Sequence, residues 1–359
     1  MPGTRHEPAA AAPARVTTVR GWRDLRALEP ALDVLQRAAG IPVTARLAWW
    51  RAALTADRDI VPLLLALRGL GGTFMAATLV ALRDQDGECR ITSVRPHTDD
   101  VWDVAAVSAG ARHTVLAELI RYAARLSRPW RLTLTGLRDG EEATWLAGQL
   151  PDGRVLPAPP VPAIGFGQDE VPLGPGIRSG IDRSGHRIRQ HKLTETVRFE
   201  RDPDRLADLR DEIEVVHLAR DHDAGRVSDL DDGAGLAFWR SVYDEHAARG
   251  ELEVATLRLD GHLAAYVVAL ADPPAYRVFD GRFAPKWRPY SPGRRLEVAV
   301  VEHARRRSFP GLDWMSSVAP EKLVASTRDD PRWAITAAGD ARPGLATGGG
   351  SFLSMAAAP

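Results

Sequence analysis

The stretch that decides the fold is residues 287–317, W-R-P-Y-S-P-G-R-R-L-E-V-A-V-V-E-H-A-R-R-R-S-F-P-G-L-D-W-M-S-S. Ser291 is a common N-cap residue type, and Pro292 suits the first position of a helix. Apolar residues then recur at helical spacing until Phe309-Pro310-Gly311, which ends the helix before a short strand at 312–315. The stretch therefore predicts a turn, a helix and a strand in succession.

The turn that opens this helix is suited to an anion. First-turn N–H groups have no partner within a helix, and the helix dipole is positive there. Three guanidinium groups add fixed positive charge around the turn. We predict an anion site for the pyrophosphate of a co-substrate, formed by Arg288, Pro292, Gly293, Arg294 and Arg295. The alternative is a helix start that binds nothing, which is the commoner case.

Composition limits the class of protein. The chain has 359 residues, of which 45% are hydrophobic and 26% charged, as in ordinary globular proteins. Lys and Arg (47) balance Asp and Glu (47), so no overall charge recruits nucleic acid or membrane, and any basic surface is local. The single cysteine, Cys89, excludes an intramolecular disulfide and fits a reducing compartment. We therefore expect a cytoplasmic protein.

The chain ends and the apolar runs complete this picture. Residues 1–15 are rich in Ala and Pro without an apolar segment, which predicts a disordered leader and not a signal peptide. The apolar run 60–67 is too short to cross a bilayer. Residues 342–359 are rich in Gly and Ala and predict a flexible tail. Heavy use of Ala, Arg, Asp and Gly with little Lys suggests a bacterial gene of high GC content, and the oligomeric state is not indicated.

Two halves follow nearly the same order of elements. In the first half we predict strands at 16–19, 60–67, 73–82, 89–94 and 130–134, an extended segment at 155–166, and helices at 22–38, 44–54, 111–126 and 141–150. In the second half we predict a basic helix at 183–192, strands at 196–199, 252–259, 262–270 and 276–282, and a final helix from Glu321. Two helices lie between the first two of these strands, and Asp202-Pro203 is predicted to cap the first of them. The turn Asp260-Gly261 predicts a hairpin of 252–259 and 262–270. Residues 168–180, rich in Gly and Pro, predict a linker between domains at 16–167 and 181–341.

The order of these motifs resembles the GNAT fold (Gcn5-related N-acetyltransferases). The chain looks like tandem GNAT proteins of the cellulose-biosynthesis type and like the Fem-type aminoacyl transferases. Five segments carry the likeness: the basic helix at 183–192, L-R-L-D-G-H-L-A-A at 257–265, F-D-G-R-F at 279–283, S-P-G-R-R-L at 291–296, and G-L-D-W at 311–314 ahead of Glu321-Lys322. The resemblance implies an α+β fold of two tandem GNAT-like domains, each a mixed, mostly antiparallel sheet flanked by helices.

The resemblance also implies an activity. We expect an N-acyltransferase that moves an acyl group from acyl-CoA to an amine acceptor, with no tightly bound cofactor. The active copy would be the C-terminal one, because residues 95–110 of the first half lack a Pro-Gly turn, and the N-terminal copy would shape the acceptor site. Two alternatives stay open. The usual acetyl-CoA signature, Arg/Gln-x-x-Gly-x-Gly/Ala, is absent, which favours a Fem-like transferase using aminoacyl-tRNA in peptidoglycan or natural-product synthesis; an inactive pair would serve as a binding protein.

We predict functional roles for individual side chains, and for each we give the alternative that the side chain has no function in binding or catalysis. Asp280 is predicted as general base or amine anchor, against a solvated carboxylate, and Tyr290 as general acid, against a packed aromatic. We predict substrate contacts from His217, against a satisfied core histidine, and from Lys322, against a surface ion pair with Glu321. A tRNA-binding surface is predicted at Arg183, Arg187, Arg189 and Lys192, against a solvated helix face. No metal is expected, since His97, Asp99, Asp100 and Asp103 lack ligand spacing.

Overall fold

The computed structural model describes residues 15–93, 101–167, 173–174, 176–272, 275–315 and 323–340. Four predictions lie wholly or partly outside these residues: the leader up to residue 14, the linker at 168–172 and 175, the Glu321-Lys322 pair and the tail at 342–359. His97, Asp99 and Asp100 lie outside them as well.

Eight α-helices form within the described residues. They are α1 (Trp22–Ala38), α2 (Leu47–Ala56), α3 (Ala109–Ala124), α4 (Gly140–Gly148), α5 (Ile177–Gln190), α6 (Pro203–Asp223), α7 (Gly233–Ala248) and α8 (Pro292–Arg306). The predicted cap of α6 is confirmed, because the Asp202 carboxylate accepts from the N–H of Asp204 and of Arg205, each at 3.1 Å, and Pro203 follows it.

Thirteen strands form within the same residues. They are β1 (Arg15–Arg20), β2 (Val61–Arg68), β3 (Phe74–Gln85), β4 (Glu88–Thr92), β5 (Ala105–Ala106), β6 (Trp130–Leu137), β7 (Arg154–Gly165), β8 (Glu195–Glu200), β9 (Leu252–Leu259), β10 (His262–Asp272), β11 (Ala275–Phe283), β12 (Gly311–Asp313) and β13 (Arg328–Gly339). The predicted hairpin of β9 and β10 is confirmed. Its turn residues Asp260 and Gly261 both have positive φ, 49° and 80°, as a two-residue hairpin turn requires.

The strands of both halves join one continuous sheet. Its order is β1-β2-β3-β4-β6-β13-β7-β12-β11-β10-β9-β8, with β5 beside β3. In each half a meander of antiparallel strands leads, through a helix, to one parallel partner: β4 pairs with β6, and β11 with β12. The predicted fold of two similar α+β halves is confirmed.

The final strand corrects the predicted final helix. Residues 328–339 form β13, which inserts between β6 and β7 of the first half. β7 in turn lies between β13 and β12. Ile335 and Ala337 are buried and alternate with half-buried positions on β13, and Trp333 packs half-buried against the same core beneath α3 and α4. The two halves therefore exchange their last strands, and the domain limits at 16–167 and 181–341 stay a prediction.

Helices cover both faces of the sheet. One face carries α1, α2, α6 and α7, whose apolar residues share a single core that spans both halves. The opposite face carries two separate cores, one under α3 and α4 and one under α5 and α8. Trp49 of α2 meets Phe238 of α7 edge to face at 5.3 Å, which locks the two halves together on the shared face.

A buried ionic network also joins the halves. Arg46, at the start of α2, is 5% exposed and pairs with Asp272 at the end of β10. It lies 3.5 Å from Glu251, which precedes β9, and the N–H of Val43 donates to Asp272 at 2.8 Å. Arg277 of β11 continues the network to Asp272 and to Asp313 of β12. The relative position of the halves is therefore fixed by charge pairing as well as by packing. Among the described helices, none has the length and apolarity that crossing a membrane requires.

Candidate active site

A gap in the sheet lies between β11 and β12. The two strands pair in parallel only at their first residues, 275–277 with 311–313. Beyond this point β12 turns towards β7, since the Trp314 N–H donates to the carbonyl of Pro162 at 3.2 Å. The rest of β11 pairs with β10 alone within the described residues. Among the described residues, the backbone groups of β11 from Val278 to Phe283 therefore have no strand partner on that edge.

The start of α8 lies over the end of this gap. A Cβ on Gly293 would come within 3.3 Å of the Phe283 ring at the end of β11, so this close approach favours glycine. The helix start is confirmed with Pro292 at its first position. The side-chain cap predicted for Ser291 is wrong. Ser291 has φ 51° and ψ 45°, a left-handed conformation rather than the extended one of a capping serine, and its side chain makes no cap hydrogen bond.

The three arginines predicted around the turn have different surroundings. Arg294 is 37% exposed and 3.4 Å from Glu297. Arg288 is 57% exposed and pairs with Asp223 at the end of α6. Arg295 is held by two hydrogen bonds to Glu195 of β8, at 2.7 and 2.5 Å, so its side chain anchors α8 to the neighbouring strand. Arg294 is thus the least constrained of the three.

Glu297 is a residue that the sequence analysis missed. Gly293, Glu297, Val300 and Ala304 lie one or two turns apart on one side of α8, the side that packs on the sheet. Val300 and Ala304 are fully buried. Glu297 therefore lies on the sheet-facing side of the helix, one turn beyond the glycine that contacts β11. Its side chain keeps 31% exposure, so the carboxylate still reaches solvent.

The surroundings of Glu297 change its acidity. Burial, which disfavours the charged form, raises the pKa of Glu297 to about 7, and Arg294 only partly opposes this rise. A carboxyl group with this pKa exchanges a proton near neutral pH, as a general base requires. The sequence contains a signal for Glu297. Glu297 lies four residues after Gly293 and three before Val300, so helical spacing places its carboxylate on the same side as buried apolar residues.

Asp280 lies in a buried polar cluster on the opposite face of β11, under α6 and α7. Its Oδ2 atom accepts from the hydroxyl of Tyr266 at 2.8 Å and from the indole N–H of Trp239 at 3.2 Å. Nδ1 of His217 lies 3.1 Å from the same oxygen, and Nη1 of Arg282 donates to Oδ1 at 2.9 Å. His217 is 3% exposed, and its Nε2 lies 3.1 Å from Asp221. Asp280 and His217, assigned separately from the sequence, are direct partners.

These contacts hold Asp280 in its charged form. Burial alone would raise the pKa of Asp280, but Arg282 and the hydrogen bonds of His217 and Tyr266 outweigh it and hold the pKa well below the usual range. A carboxylate stabilised in this way has little driving force to take up a proton. The geometry therefore favours a structural or positioning role for Asp280 over the predicted role of general base.

Replacing Asp280 with Asn is expected to lower the free energy of unfolding by about 3 kcal/mol, because it removes one member of a buried charge pair. The measurement is urea denaturation followed by circular dichroism. Asp260→Asn serves as the control, since Asp260 lies at an exposed turn. Unchanged stability together with a complete loss of transfer would instead restore the role of general base.

Tyr290 precedes the turn and contacts the basic helix α5. Its hydroxyl lies 2.6 Å from Nδ1 of His191, and Arg187 donates to the carbonyl of Pro289 at 2.8 Å. The four cations predicted to bind tRNA, Arg183, Arg187, Arg189 and Lys192, are all exposed. The basic helix therefore adjoins the anion turn.

The corresponding gap of the first half is closed. After β4 and β6 part, Oγ of Ser93 lies 2.9 Å from Oγ1 of Thr135. The N–H of Trp102 donates to the carbonyl of Thr135 at 3.3 Å, and its indole donates to the carbonyl of Leu79 at 3.0 Å. Only the second half has an opening of this kind within the described residues. Among the same residues, no three His, Cys, Asp or Glu side chains group so as to hold a metal ion.

Comparisons with known proteins agree with this geometry. Residues 177–323 match the family model described as an acetyltransferase (GNAT) domain. The crystal structure of FemX aligns with a TM-score of 0.60 at 9% identity, covering 85% of this chain and 95% of FemX. The structure of L-PGS from Bacillus licheniformis aligns with a TM-score of 0.53 at 12% identity, covering 85% and 90%. No curated protein sequence matches.

The fold and the family match define the class: this is a protein with the GNAT acyltransferase fold. Residues 177–323 match the GNAT domain model, and the described strands of the first half repeat the architecture of the second, so the chain has a tandem GNAT-like fold. The resemblance stated from the sequence is confirmed at this level.

Proposed function

We propose that this chain is an N-acyltransferase whose C-terminal copy binds an acyl-CoA donor and acylates an amine. The observation that carries the proposal is the opening between β11 and β12 directly beside the start of α8. The edge of β11 that is unpaired among the described residues offers backbone N–H groups to an acyl carbonyl, and the first-turn N–H groups of α8 suit the pyrophosphate. Gly293 and Arg294 are the donor contacts that the geometry supports best, with Pro292 and Arg288 beside them.

The transfer step needs a base and an acid. The amine nitrogen attacks the thioester carbonyl, the C–N bond forms, the C–S bond breaks, and CoA leaves as a thiolate. Glu297 takes the proton that the amine loses, either directly or through a water molecule. Tyr290 gives a proton to the thiolate, and His191, 2.6 Å away, can return one to Tyr290. Asp280 and His217 act as positioning residues that fix β11 against α6. Lys322 contacts the substrate.

The double variant Gly293→Val, Arg294→Ala is expected to lower donor affinity at least 100-fold. The added side chain meets Phe283 and crowds the helix start, and the second change removes a cation. Isothermal titration with acetyl-CoA and longer acyl-CoAs measures this. Arg306→Ala, at the exposed far end of the same helix, is the matched control and should bind normally. Equal affinities of both proteins for each acyl-CoA that binds would refute the anion site.

A second candidate keeps the fold and changes the donor. The exposed cations of α5 adjoin the anion turn through the contacts of Arg187 and His191, as a surface for a larger polyanion would require. A Fem-like transferase using aminoacyl-tRNA would have such a surface, and it would form the amide bond from an ester instead of a thioester.

Aminoacyl-tRNA binding tests this alternative. If it is correct, the affinity falls steeply with salt, and replacing Arg183, Arg187, Arg189 and Lys192 together with Ala lowers the salt slope by about 3–4. Filter binding between low and physiological salt measures both effects. No binding of charged tRNA at low salt, together with binding of acyl-CoA, would exclude it.

A further inference from the structure

A wide, open cavity lies in the first half, on the side of the sheet that carries α3 and α4. Its volume is about 1170 Å³, and its walls include three indole rings, of Trp102, Trp145 and Trp333. The rings come from three distant parts of the chain: the segment before β5, helix α4 and strand β13. The exchange of last strands between the halves is what brings Trp333 to this place.

The aromatic wall is held in position. The buried indole of Trp102 donates to the carbonyl of Leu79, and Trp145 meets the His113 ring edge to face at 5.0 Å. The Trp333 ring lies on Gly140, where a Cβ would come within 2.9 Å of it. Gly140 is therefore needed for this ring to lie against the start of α4. The wall is preformed and does not depend on a ligand.

The charged groups of the cavity have an excess of negative charge. Four carboxylates, of Asp103, Asp139, Glu141 and Glu142, face two guanidinium groups. Arg112 is bonded to Asp103 at 2.8 Å and to Glu142, and Arg138 is bonded to Asp103 at 2.6 Å. Both cations are thus neutralised within the wall. Asp139 caps α4, and Glu141 is exposed in its first turn.

We propose that this cavity binds a small organic cation, with its ammonium group beside the half-buried indole rings of Trp145 and Trp333 and the carboxylates compensating the charge. Indole is the best aromatic partner for a cation. A phosphate-bearing ligand is disfavoured, because carboxylates occupy the helix start where an anion would bind. The strands β13, β7 and β12 separate the cavity from the β11–β12 gap, roughly 15 Å away at ordinary strand spacing. It is therefore an additional site and does not rest on the proposed transfer reaction.

Two probes of equal shape, one charged and one neutral, distinguish binding by charge from binding by apolar contact. Choline and 3,3-dimethylbutan-1-ol differ in having a quaternary nitrogen or a quaternary carbon at the same place. Isothermal titration of the full chain is expected to show choline binding at least tenfold more tightly than the neutral alcohol. Trp145→Leu and Glu141→Gln should each weaken choline binding several-fold. Asp208→Asn, which removes an exposed helix carboxylate outside the cavity, should leave it unchanged.

Three results would overturn the proposal. Equal affinities for choline and the alcohol would show an apolar cavity without cation selectivity. Absence of choline and butylammonium binding up to the millimolar range would show that no such site exists. Choline binding that Glu141→Gln and Trp145→Leu leave unchanged, in variants with the melting temperature of the parent, would place the cation elsewhere.

Discussion

Replacing Glu297 with Gln is expected to lower kcat by about 10²–10⁴-fold, the usual contribution of a positioned general base. KM for the donor should stay nearly constant, because the amide keeps the shape of the side chain and the anion turn is untouched. Initial rates across a panel of acceptor amines measure this, once a donor is known. Glu302→Gln is the matched control on the same helix, since its carboxylate is exposed and 3.5 Å from Arg306.

The pH dependence gives a second, independent readout for Glu297. The base must be ionised, so the rate of the parent protein should rise with pH through about 7, and this inflection should be absent in the Gln variant. The folded pKa lies above that of an ordinary carboxyl group, so ionisation of Glu297 costs stability as the pH rises from 4.5 through about 7. The Gln variant should therefore be the more stable protein above pH 7. An unchanged pH profile and rate would remove Glu297 from the mechanism.

Replacing Arg46 with Met is expected to lower the free energy of unfolding by about 3–5 kcal/mol, since it leaves Asp272 and Glu251 buried without their shared cation. Urea denaturation monitored by circular dichroism measures the loss. Both halves should unfold together, because Arg46 joins the start of α2 to strands of the second half.

Arg83→Met is the control for this prediction. Arg83 also pairs with an acid, Asp57, but the pair lies within the first half and its side chains are 39% and 33% exposed. Its loss should cost about 0–1 kcal/mol. If both variants lose the same small amount, the ionic network does not hold the halves together, and packing of α2 on α7 carries that role alone.

Local patterns predicted much of the fold from the sequence. The helix at 22–38 was predicted with the limits that α1 has, and the Asp260-Gly261 turn predicted the β9–β10 hairpin. Both depend on neighbouring residues, since periodicity and turn chemistry are local. Strand β13 was missed because it begins with the charged run Arg328-Asp329-Asp330 and contains a proline, and its partners lie far back in the chain. The residues near 328 contain no local pattern that predicts the pairing of β13 with β6 and β7.

The site was predictable in part, because its local motifs are visible in the sequence and its long-range contacts are not. The turn at Gly293 is a local motif, and the sequence placed it at the start of a helix. The contact between His217 and Asp280 joins positions 63 residues apart and has no signature in the sequence. Burial decides the properties of both carboxylates: it raises the pKa of Glu297, and the partners of Asp280 hold its pKa low. A carboxylate in the middle of a strand, before Gly281, suggests a base at Asp280, but this pattern does not contain the partners that hold its pKa low.

The most direct test of the central claim, donor binding at the start of α8, is a thermal-shift measurement with a panel of acyl-CoAs and aminoacyl-tRNAs, in which bound mass is confirmed by native mass spectrometry. At a hundredfold excess over its Kd, a donor that binds only the folded protein should add about 2.7 kcal/mol of stability. We expect an acyl-CoA to raise the melting temperature of the parent protein and of Arg306→Ala, but not that of Gly293→Val, Arg294→Ala. If no donor shifts the parent protein, or if an acyl-CoA shifts the double variant equally, the account of the site is wrong.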